Sequence, residues 1–531
     1  MVYSCGDCFI LELVKKKLEY RNLDGSGNNL VNTDYGKING AILKTVDHDY
    51  SNGINELAGP NRPSTREVSN IICKQKTALP NMKNSSNILW LWGQFIDHDI
   101  ILTKTADERA DIPVPQGDPY FDPEATGTQV IPFTRSEPIE GTGVNDVPRE
   151  MCNFLTPFID ASNVYGTTKE RNDFIREFKD GLLKTSWGDM MPVTDNKIHN
   201  DGEMFSAIYV GGDPRANEHF GLCSLHTLFV REHNYWAKRI KKLCSDLTDE
   251  DIYQTAKIIV ESEIESITFN EYLPLLLGKC NIPNYTGYNE TVNPQIAHLF
   301  SASCYRLHSL IPSLTLDIKL KDQFFASYLM ANKKYSIDYV LKCFYTKICE
   351  EMDGKFVDDL RNFLFGPPGM GGHDLAAINI QRGRDHCLCD YNSVREKLGF
   401  TKKTDFEEIS ASSITNQQLK DLYNDDIDDV DLYIAGVVEK KYNSHSQLGE
   451  VFHVVVKDQF CRIRTGDRLW YENRLSKNQI NYINHTKLSD IIKRNTNLCN
   501  VPKNVFEIEK ENWCCKCKCN CCCKYQPTSY C

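Results

Sequence analysis

One short run of the chain, Trp92-Gly93-Gln94-Phe95-Ile96-Asp97-His98-Asp99, concentrates side chains that can carry chemistry. On a helix Gln94 and His98 share one face a turn apart, with Asp97 beside them. An imidazole is the usual general acid–base of enzymes. Burying two carboxylates beside it is costly unless each has a partner, a metal or a covalent role. The alternative is a polar helix end whose carboxylates face solvent.

A second run alternates oxygen donors at Thr156, Asp160 and Ser162, with the Phe158 carbonyl between them. Alternate residues of an extended segment point to one side, and a hard cation takes about six to eight oxygen ligands. Adding the carboxylate of Asp99 gives a candidate calcium site. The alternative is an ordinary turn whose side chains bond to local backbone.

Arg215 and Glu218 follow the segment Gly211-Gly212-Asp213-Pro214. A loop or first helical turn at this point would let the guanidinium project into a cavity. The alternative is a surface ion pair, which contributes little to stability.

Two later segments also combine polar groups. His308 ends the run Tyr305-Arg306-Leu307-His308 in a predicted helix, where a lone histidine is more often a satisfied core residue. Residues 378–386 contain Asn379 and Arg382 among further Arg and Asp residues. This composition indicates either a buried polar network or an exposed charged loop.

Most of these residues fall in segments with helical periodicity. Apolar residues at helical spacing predict helices over about 87–100, 222–243, 251–269, 295–310, 337–348 and 356–364. Residues 22–65 and 105–150 are rich in Gly, Asn, Asp and Pro, which predicts long irregular segments. Strand-like alternation is scarce, and residues 451–456 fit either structure. The pattern predicts a mainly α fold with long ordered loops and very little β structure.

The composition of the 531 residues is that of a globular protein, with 41% hydrophobic and 25% charged residues. The formal net charge of −11 disfavours nucleic acid as a partner. No apolar run approaches the roughly 20 residues of a membrane span. We predict an N-terminal extension over 1–19, one domain over 20–505 and a Cys-rich tail over 506–531.

The 22 cysteines include a cluster from Cys514 to Cys531, which could bind soft metals, form crosslinks or have no function. The scattered remainder suits disulfides or isolated thiols. Glycosylation acceptors at Asn84, Asn284, Asn289 and Asn484 favour a secreted glycoprotein. The N-terminus is a poor signal peptide, because Glu12 interrupts its apolar stretch and its lysines follow that stretch.

In chain order these segments resemble the animal-type haem peroxidases of the peroxidase–cyclooxygenase superfamily, and within it the peroxinectins. The resemblance runs from about residue 20 to residue 505. It also includes Arg66-Glu67-Val68-Ser69-Asn70, Arg231-Glu232-His233-Asn234 and Gly466-Asp467-Arg468-Leu469-Trp470-Tyr471-Glu472-Asn473. It implies the animal haem peroxidase fold, with haem buried between central helices, and reduction of H2O2.

The resemblance also implies roles for single residues. His98 would be the distal base that moves a proton from the inner to the outer oxygen of H2O2. Arg215 would stabilise the charge that develops as the O–O bond breaks. Gln94 would hold water or a halide.

Further implied residues bind the cofactor. His308 would be the proximal ligand of the haem iron, and Asn379 would bond to its other ring nitrogen. Asp97 and Glu218 would be ester-linked to haem b. Arg382 is expected to meet a haem propionate. The calcium ligands implied by the resemblance are Asp99, Thr156, Phe158, Asp160 and Ser162.

Three residues depart from the family pattern. His219 replaces a methionine that some members bond to a haem vinyl group, so bromide, iodide, thiocyanate or phenolic donors are expected rather than chloride. Tyr305 and Leu307 replace an Arg and a Gly of the usual peroxidases. Tyr-X-X-His is the arrangement of the fatty-acid oxygenases in this superfamily, so the alternative is a haem-dependent fatty-acid oxygenase with a radical at Tyr305.

Integrin-type adhesion, associated with peroxinectins, needs an Arg/Lys-Gly-Asp motif. Lys179-Asp180-Gly181 and Arg464-Thr465-Gly466-Asp467 only approach that order. No clear adhesion motif is therefore present.

Overall fold

Helices provide most of the regular structure in this computed structural model, which describes residues 5–194, 197–202, 208–331 and 334–508. The α-helices are α1 Cys5–Lys16, α2 Thr65–Val68, α3 Ile88–Ile100, α4 Ser162–Tyr165, α5 Lys169–Ile175, α6 Phe220–Leu243, α7 Asp249–Ile267, α8 Tyr328–Ala331, α9 Ile337–Thr346, α10 Asp358–Arg361, α11 Leu375–Asp385, α12 Tyr391–Lys397, α13 Ser413–Leu422, α14 Leu432–Val438, α15 Glu450–Thr465, α16 Tyr471–Arg474, α17 Lys477–His485 and α18 Leu488–Asn495. Nearly all of the predicted Cys-rich tail lies outside the described residues.

Shorter elements connect these helices. The π-helical segments are Ser69–Cys73, Thr268–Tyr272, Pro274–Gly278 and Phe300–Cys304. The 3-10 segments include Pro214–Asn217, Lys279–Asn281, His308–Leu310, Leu320–Asp322, Phe406–Glu408 and Ile427–Asp429. The strands are β1 Gly40–Ala41, β2 Thr105–Arg109, β3 Ile112–Pro113, β4 Val130–Ile131, β5 Thr134–Ser136 and β6 Cys152–Asn153. They pair antiparallel as β1–β6, β2–β5 and β3–β4. The predicted mainly α fold with little β structure is confirmed.

The helices α3 and α6 pack on each other in the core through aromatic rings. Phe95 of α3 stacks on Phe229 of α6 with ring centroids 5.2 Å apart, and Trp92 lies 5.9 Å from the same ring. All residues of α3 except Gln94 and Asp97 are buried. The half-buried Gln94 and Asp97 therefore lie on the face of α3 that borders a cavity, whereas the other faces pack against the core.

The structure decides one open segment and differs from two predicted helices. Residues 451–456, which fitted either structure, belong to the helix α15. The predicted helix over 356–364 is only the single turn Asp358–Arg361. The predicted helix over 295–310 is a π-helical turn, Phe300–Cys304, followed by a break and a 3-10 turn at His308. Periodicity alone does not distinguish these from regular helices.

The irregular N-terminal arm is held by buried charge. Arg21 donates to both oxygens of the Asp467 carboxylate, at 3.1 and 2.9 Å, and lies 3.8 Å from Glu261 of α7. Asn28 donates to the same carboxylate at 2.6 Å. In α1, Phe9 stacks on Tyr482 at 4.6 Å. These contacts fix the start of the chain against its last quarter.

None of the described helices is long and apolar enough to cross a membrane.

Candidate active site

The two histidines expected on either side of a haem line the same cavity, which encloses about 340 Å³. Its walls are formed by Trp90, Gly93, Gln94, Asp97, His98, Arg215, Glu218, His219, Tyr272, Ser301, Tyr305, Arg306, Leu307, His308, Ile311, Leu320, Phe324, Leu360, Leu364, Phe365, Leu375 and Ile378. The polar groups come from α3, the turn at 214–219 and the segment at 301–308. The structure therefore brings together seven predicted site residues that are distant in sequence.

His98 is buried on α3, and its Nδ1 has no hydrogen-bond partner. Its nearest acidic group is Asp213, whose Oδ1 lies 3.8 Å from Nδ1. Burial and the Arg215 cation lower the pKa of His98 well below its usual value. The ring is therefore neutral near pH 7 and can accept a proton.

Arg215 is held in a clamp by Asp213. Its Nε and Nη2 donate to the two carboxylate oxygens at 2.9 and 2.8 Å, and Nη2 also donates to the Ile101 carbonyl. Asp213 in addition caps the turn by accepting from the Arg215 backbone N–H. Such a two-point contact fixes the guanidinium plane. The sequence reasoning assigned no role to Asp213, although an Asp before Pro at the start of a turn is a recognisable cap.

Asp97 and Glu218 are carboxyls in a largely apolar cavity. Burial raises the pKa of Asp97 to about 6 and that of Glu218 to about 7, although Arg215 opposes both shifts. Arg215 Nη1 lies 3.8 Å from Asp97 Oδ2. Neither carboxyl forms a close ion pair, so the free-energy cost of burying a charged carboxylate, which was expected from the sequence, is not offset by a cation.

Gln94 lies between His219 and Glu218. Its Oε1 is 2.8 Å from Nε2 of His219, and its amide group lowers the pKa of Glu218. His219 is the N-cap of α6 and accepts the Leu222 backbone N–H at Nδ1, at 3.3 Å. The departure noted in the sequence at His219 is thus in direct contact with a predicted catalytic residue.

His308 is positioned from another helix. Nδ2 of Asn379, on α11, lies 2.8 Å from Nδ1 of His308 and 3.1 Å from the Tyr433 hydroxyl. Arg306 Nη1 donates to Oδ1 of Asn379 at 3.2 Å. Burial, then the Arg306 cation, lowers the pKa of His308 to about 3, so its ring is neutral and has a lone pair for a metal.

Two guanidinium groups lie near this end of the cavity. Arg306 lines it, and burial and the neighbouring Arg382 lower the pKa of Arg306 to about 10. Arg382 does not line the cavity; it donates to Ser136 at 2.9 Å and pairs with Asp385 at 2.9 Å. Two neighbouring buried cations form a setting that suits an anionic group.

Tyr305 lines the cavity and pairs with a second tyrosine that the sequence reasoning missed. Its hydroxyl lies 2.9 Å from that of Tyr272, and its ring stacks on Phe300 at 4.5 Å. Gly93 makes room for this pair, because a Cβ there would lie 2.8 Å from the Tyr272 hydroxyl. Burial raises the pKa of Tyr305 well above its usual value.

Four of the five predicted calcium ligands, Asp99, Thr156, Asp160 and Ser162, are linked by hydrogen bonds at the end of α3. Asp99 accepts from the Ala161 N–H at 3.1 Å and the Ser162 hydroxyl at 3.0 Å, and the Thr156 hydroxyl donates to Asp160 at 2.8 Å. Burial raises the pKa of both carboxyls, and Asp160 further raises that of Asp99. The Arg21 guanidinium lies 5.3 Å from the ring of Phe158.

The surrounding backbone is strained. Ala161 adopts a left-handed φ of 58°, which costs about 1–3 kcal/mol for a residue with a side chain. Within the described ranges no group of three or more His, Cys, Asp or Glu residues could hold a metal ion. A cation between Asp99 and Asp160 would therefore depend on hydroxyl and carbonyl oxygens as well.

Sequence comparison extends the resemblance to most of the chain. A model of the family described as animal haem peroxidase matches residues 20–506. The chain is 32% identical to Peroxinectin A of Dictyostelium discoideum over 94% of this chain and 97% of that protein. It is 31% identical to Dual oxidase of Drosophila melanogaster over 94% of this chain, but it spans only 35% of that relative's length.

Solved structures give the same assignment. Peroxidase A from Dictyostelium discoideum superposes with a TM-score of 0.86 at 30% identity, over 92% of this chain and all of that one. A fatty acid alpha-dioxygenase of Arabidopsis thaliana has a TM-score of 0.75 at 20% identity, over 92% of this chain and 83% of that one, which shows a shared fold.

This chain belongs to the animal haem peroxidase family. The predicted resemblance to peroxinectins, the fold and the enzyme class, a haem-dependent oxidoreductase of the peroxidase type, are confirmed at the level of the family.

Proposed function

We propose that this protein reduces H2O2 in the cavity between His98 and His308 and uses the oxidising equivalents on small donors. The observation that carries the proposal is the pair of neutral imidazoles, from distant parts of the chain, that line one cavity. His98 lines this cavity together with Arg215, and the ring of His308 is oriented by Asn379.

The residues present fit haem b. His308 would ligate the iron, Asn379 would orient its ring, and Arg306 and Arg382 would neutralise the propionates. Ligation through Nε2 of His308 would require the ring hydrogen on Nδ1, and the Asn379 amide would then have to present its oxygen to that N–H. When bound, the haem supplies the two-electron chemistry that reduces peroxide.

The raised pKa values of Asp97 and Glu218 support their ester linkage to the haem, because an ester removes the cost of a buried charge. The ring of His219 offers no thioether, so no vinyl–sulfur link forms there.

The chain's own groups would move one proton within H2O2. His98 accepts the proton of the inner oxygen and delivers it to the outer oxygen, which leaves as water. Arg215, fixed by Asp213, stabilises the negative charge that develops on the departing oxygen.

Small anionic or phenolic donors suit this cavity. Bromide, iodide or thiocyanate would approach the Arg215 cation and the Gln94 amide, and a phenol would pack on apolar walls such as Leu320 and Phe324. No nucleic acid, membrane span or integrin-type adhesion enters the proposal.

An ultraviolet–visible spectrum before and after peroxide tests the proposal. Purified protein should show a Soret band that changes on adding one equivalent of H2O2, and bromide or thiocyanate should restore it. Acid-acetone should fail to extract the haem. Free haem in the extract would refute the ester links, and protein without a Soret band after haem addition would refute the function.

We further propose calcium at Asp99, Thr156, Phe158, Asp160 and Ser162. The mutual repulsion of two buried carboxylates and the strain at Ala161 support this site. Chelation should lower the melting temperature and loosen the end of α3. Elemental analysis without calcium, together with an unchanged melting curve, would contradict it.

A fatty-acid oxygenase is the second candidate, because the Tyr305 hydroxyl lines the cavity and pairs with Tyr272. Oxygen uptake with a polyunsaturated fatty acid, in the absence of peroxide-dependent bromide oxidation, would favour it.

We propose that the protein is secreted and glycosylated. Asn284 and Asn289 are exposed and could accept glycans, whereas Asn484 accepts hydrogen bonds from Tyr471 and Ser266. Mass spectrometry of protein from culture medium tests this. The division into 1–19, 20–505 and 506–531 stays a prediction that limited proteolysis can check.

A further inference from the structure

His219 has a single protonation pattern that its neighbours determine. Nδ1 accepts the Leu222 backbone N–H, so Nδ1 cannot carry a hydrogen. Burial lowers the pKa of His219 to about 3, which keeps the ring neutral at physiological pH. A neutral imidazole has one N–H, and here it must be on Nε2.

This N–H in turn fixes the side-chain amide of Gln94. Nε2 of His219 lies 2.8 Å from Oε1 of Gln94, and a donor at Nε2 requires an acceptor opposite. The amide oxygen therefore faces His219, and the amide NH2 group faces the other way. An amide nitrogen has two hydrogens to donate.

Glu218 and Gln94 line the same cavity, and the Gln94 side chain lowers the pKa of Glu218, which agrees with an amide N–H on the side of the carboxyl group. With its oxygen engaged by His219, the Gln94 amide can therefore present an N–H to a ligand in the cavity that Gln94, His98 and Arg215 line together.

We propose that His219 is a positioning residue that holds the Gln94 amide with its NH2 group toward the cavity, and so selects small anions. The inference rests on the proposed function. Without the donor at Nε2, the amide can turn its oxygen toward the cavity and repel an anion. The chemical class of ligand is a halide or pseudohalide, with bromide and thiocyanate as probes.

The test separates the two roles of His219, which caps the N-terminus of α6 and hydrogen-bonds to Gln94. In His219→Asn a side-chain oxygen can still cap α6, but the shorter side chain cannot reach Gln94. His219→Ser is a second variant with a capping oxygen if the first folds poorly. Gln94→Met removes the amide at similar volume. His453→Asn, at a buried histidine that contacts Ser446 outside the cavity, is the matched control.

Bromide and thiocyanate affinities of the ferric holoprotein are measured from the change in its Soret band. His219→Asn should raise both Kd values about tenfold, the size of one lost hydrogen bond to a charged ligand. Gln94→Met should raise them at least as much, and the double variant should match Gln94→Met alone. Carbon monoxide, a neutral ligand of the ferrous protein, and the His453→Asn control should show unchanged affinities.

Two results would overturn the inference. The first is an unchanged Kd for bromide and thiocyanate in both His219 variants. The second is a His219→Asn substitution that raises these Kd values as much in the Gln94→Met protein as in the wild type. In either case peroxide cleavage by the wild type could still stand. A wild type that binds haem but does not react with peroxide would instead refute the proposed function.

Discussion

The distal and proximal sides of the cavity position their histidines differently. His98 stands on the regular helix α3, and its outer ring nitrogen has no hydrogen-bond partner. His308 follows a π-helical turn and a break, and its outer nitrogen lies 2.8 Å from Asn379. The ring of His308 is thus held by a side-chain hydrogen bond at Nδ1, whereas the ring of His98 has none at that nitrogen.

This difference matches what each ring must do. A proton carrier must gain and lose a hydrogen within one reaction cycle. An imidazole that ligates a metal must direct the lone pair of one ring nitrogen toward it, and a hydrogen bond at the other ring nitrogen fixes the orientation of the ring. Substitutions at His308, His98, Asn379 and Tyr305 test this difference, and their effects on peroxide chemistry should decrease in that order.

His308→Ala should have the largest effect, because it removes the only nitrogen that we assign to the iron. Peroxidase activity should be lost, and the Soret band should shift or disappear. Added imidazole should restore the spectrum if the cavity survives. An unchanged spectrum would contradict the proximal assignment, and His453→Ala serves as the control for removing a buried histidine.

His98→Ala should keep the haem but slow peroxide cleavage by about 10²–10⁴-fold, the usual contribution of a general acid–base. Stopped-flow absorption at several peroxide concentrations measures this rate constant. The Soret band of the resting protein should remain. Cleavage at the wild-type rate would show that another group handles the proton.

Asn379→Ala should reduce activity about 10–100-fold, as is usual for a residue that orients a metal ligand. The reduction potential of the haem should rise, because His308 loses electron-donating character. Asn379→Asp should move the potential in the opposite direction, since a carboxylate makes the imidazole more basic. Equal potentials in all three proteins would indicate a purely structural role.

Tyr305→Phe should have the smallest effect on a peroxidase and leave bromide oxidation unchanged. If the protein is an oxygenase, the same substitution should abolish fatty-acid oxygenation. Tyr272→Phe is the matched control, because it removes the same hydrogen bond between the two hydroxyls but leaves the Tyr305 hydroxyl in place. Parallel behaviour of the two variants would exclude a radical confined to Tyr305.

On the distal side the helix α3 and its polar face with Gln94 and Asp97 were predictable from the apolar period, whereas the roles of His98 and Arg215 came from the resemblance to a family. Asp213 was missed, since its hold on Arg215 is visible only in three dimensions.

The proximal side depended on the resemblance to a family. Regular periodicity suggested a helix through His308, and a π-helical turn is not distinguishable from it by apolar spacing. The contact of Arg306 with Asn379 joins segments that no local pattern relates.

The buried pairing of Arg21 with Asp467 has a consequence for biosynthesis. The two residues are 446 positions apart, so the arm leaves the ribosome long before its partner exists. Removing one member of a buried ion pair leaves an uncompensated charge and typically costs about 3–5 kcal/mol. Until Asp467 has been made, Arg21 can reach only the more distant carboxylates of Glu261 and Glu265, at 3.8 and 3.7 Å, so we expect the arm to dock among the last steps of folding.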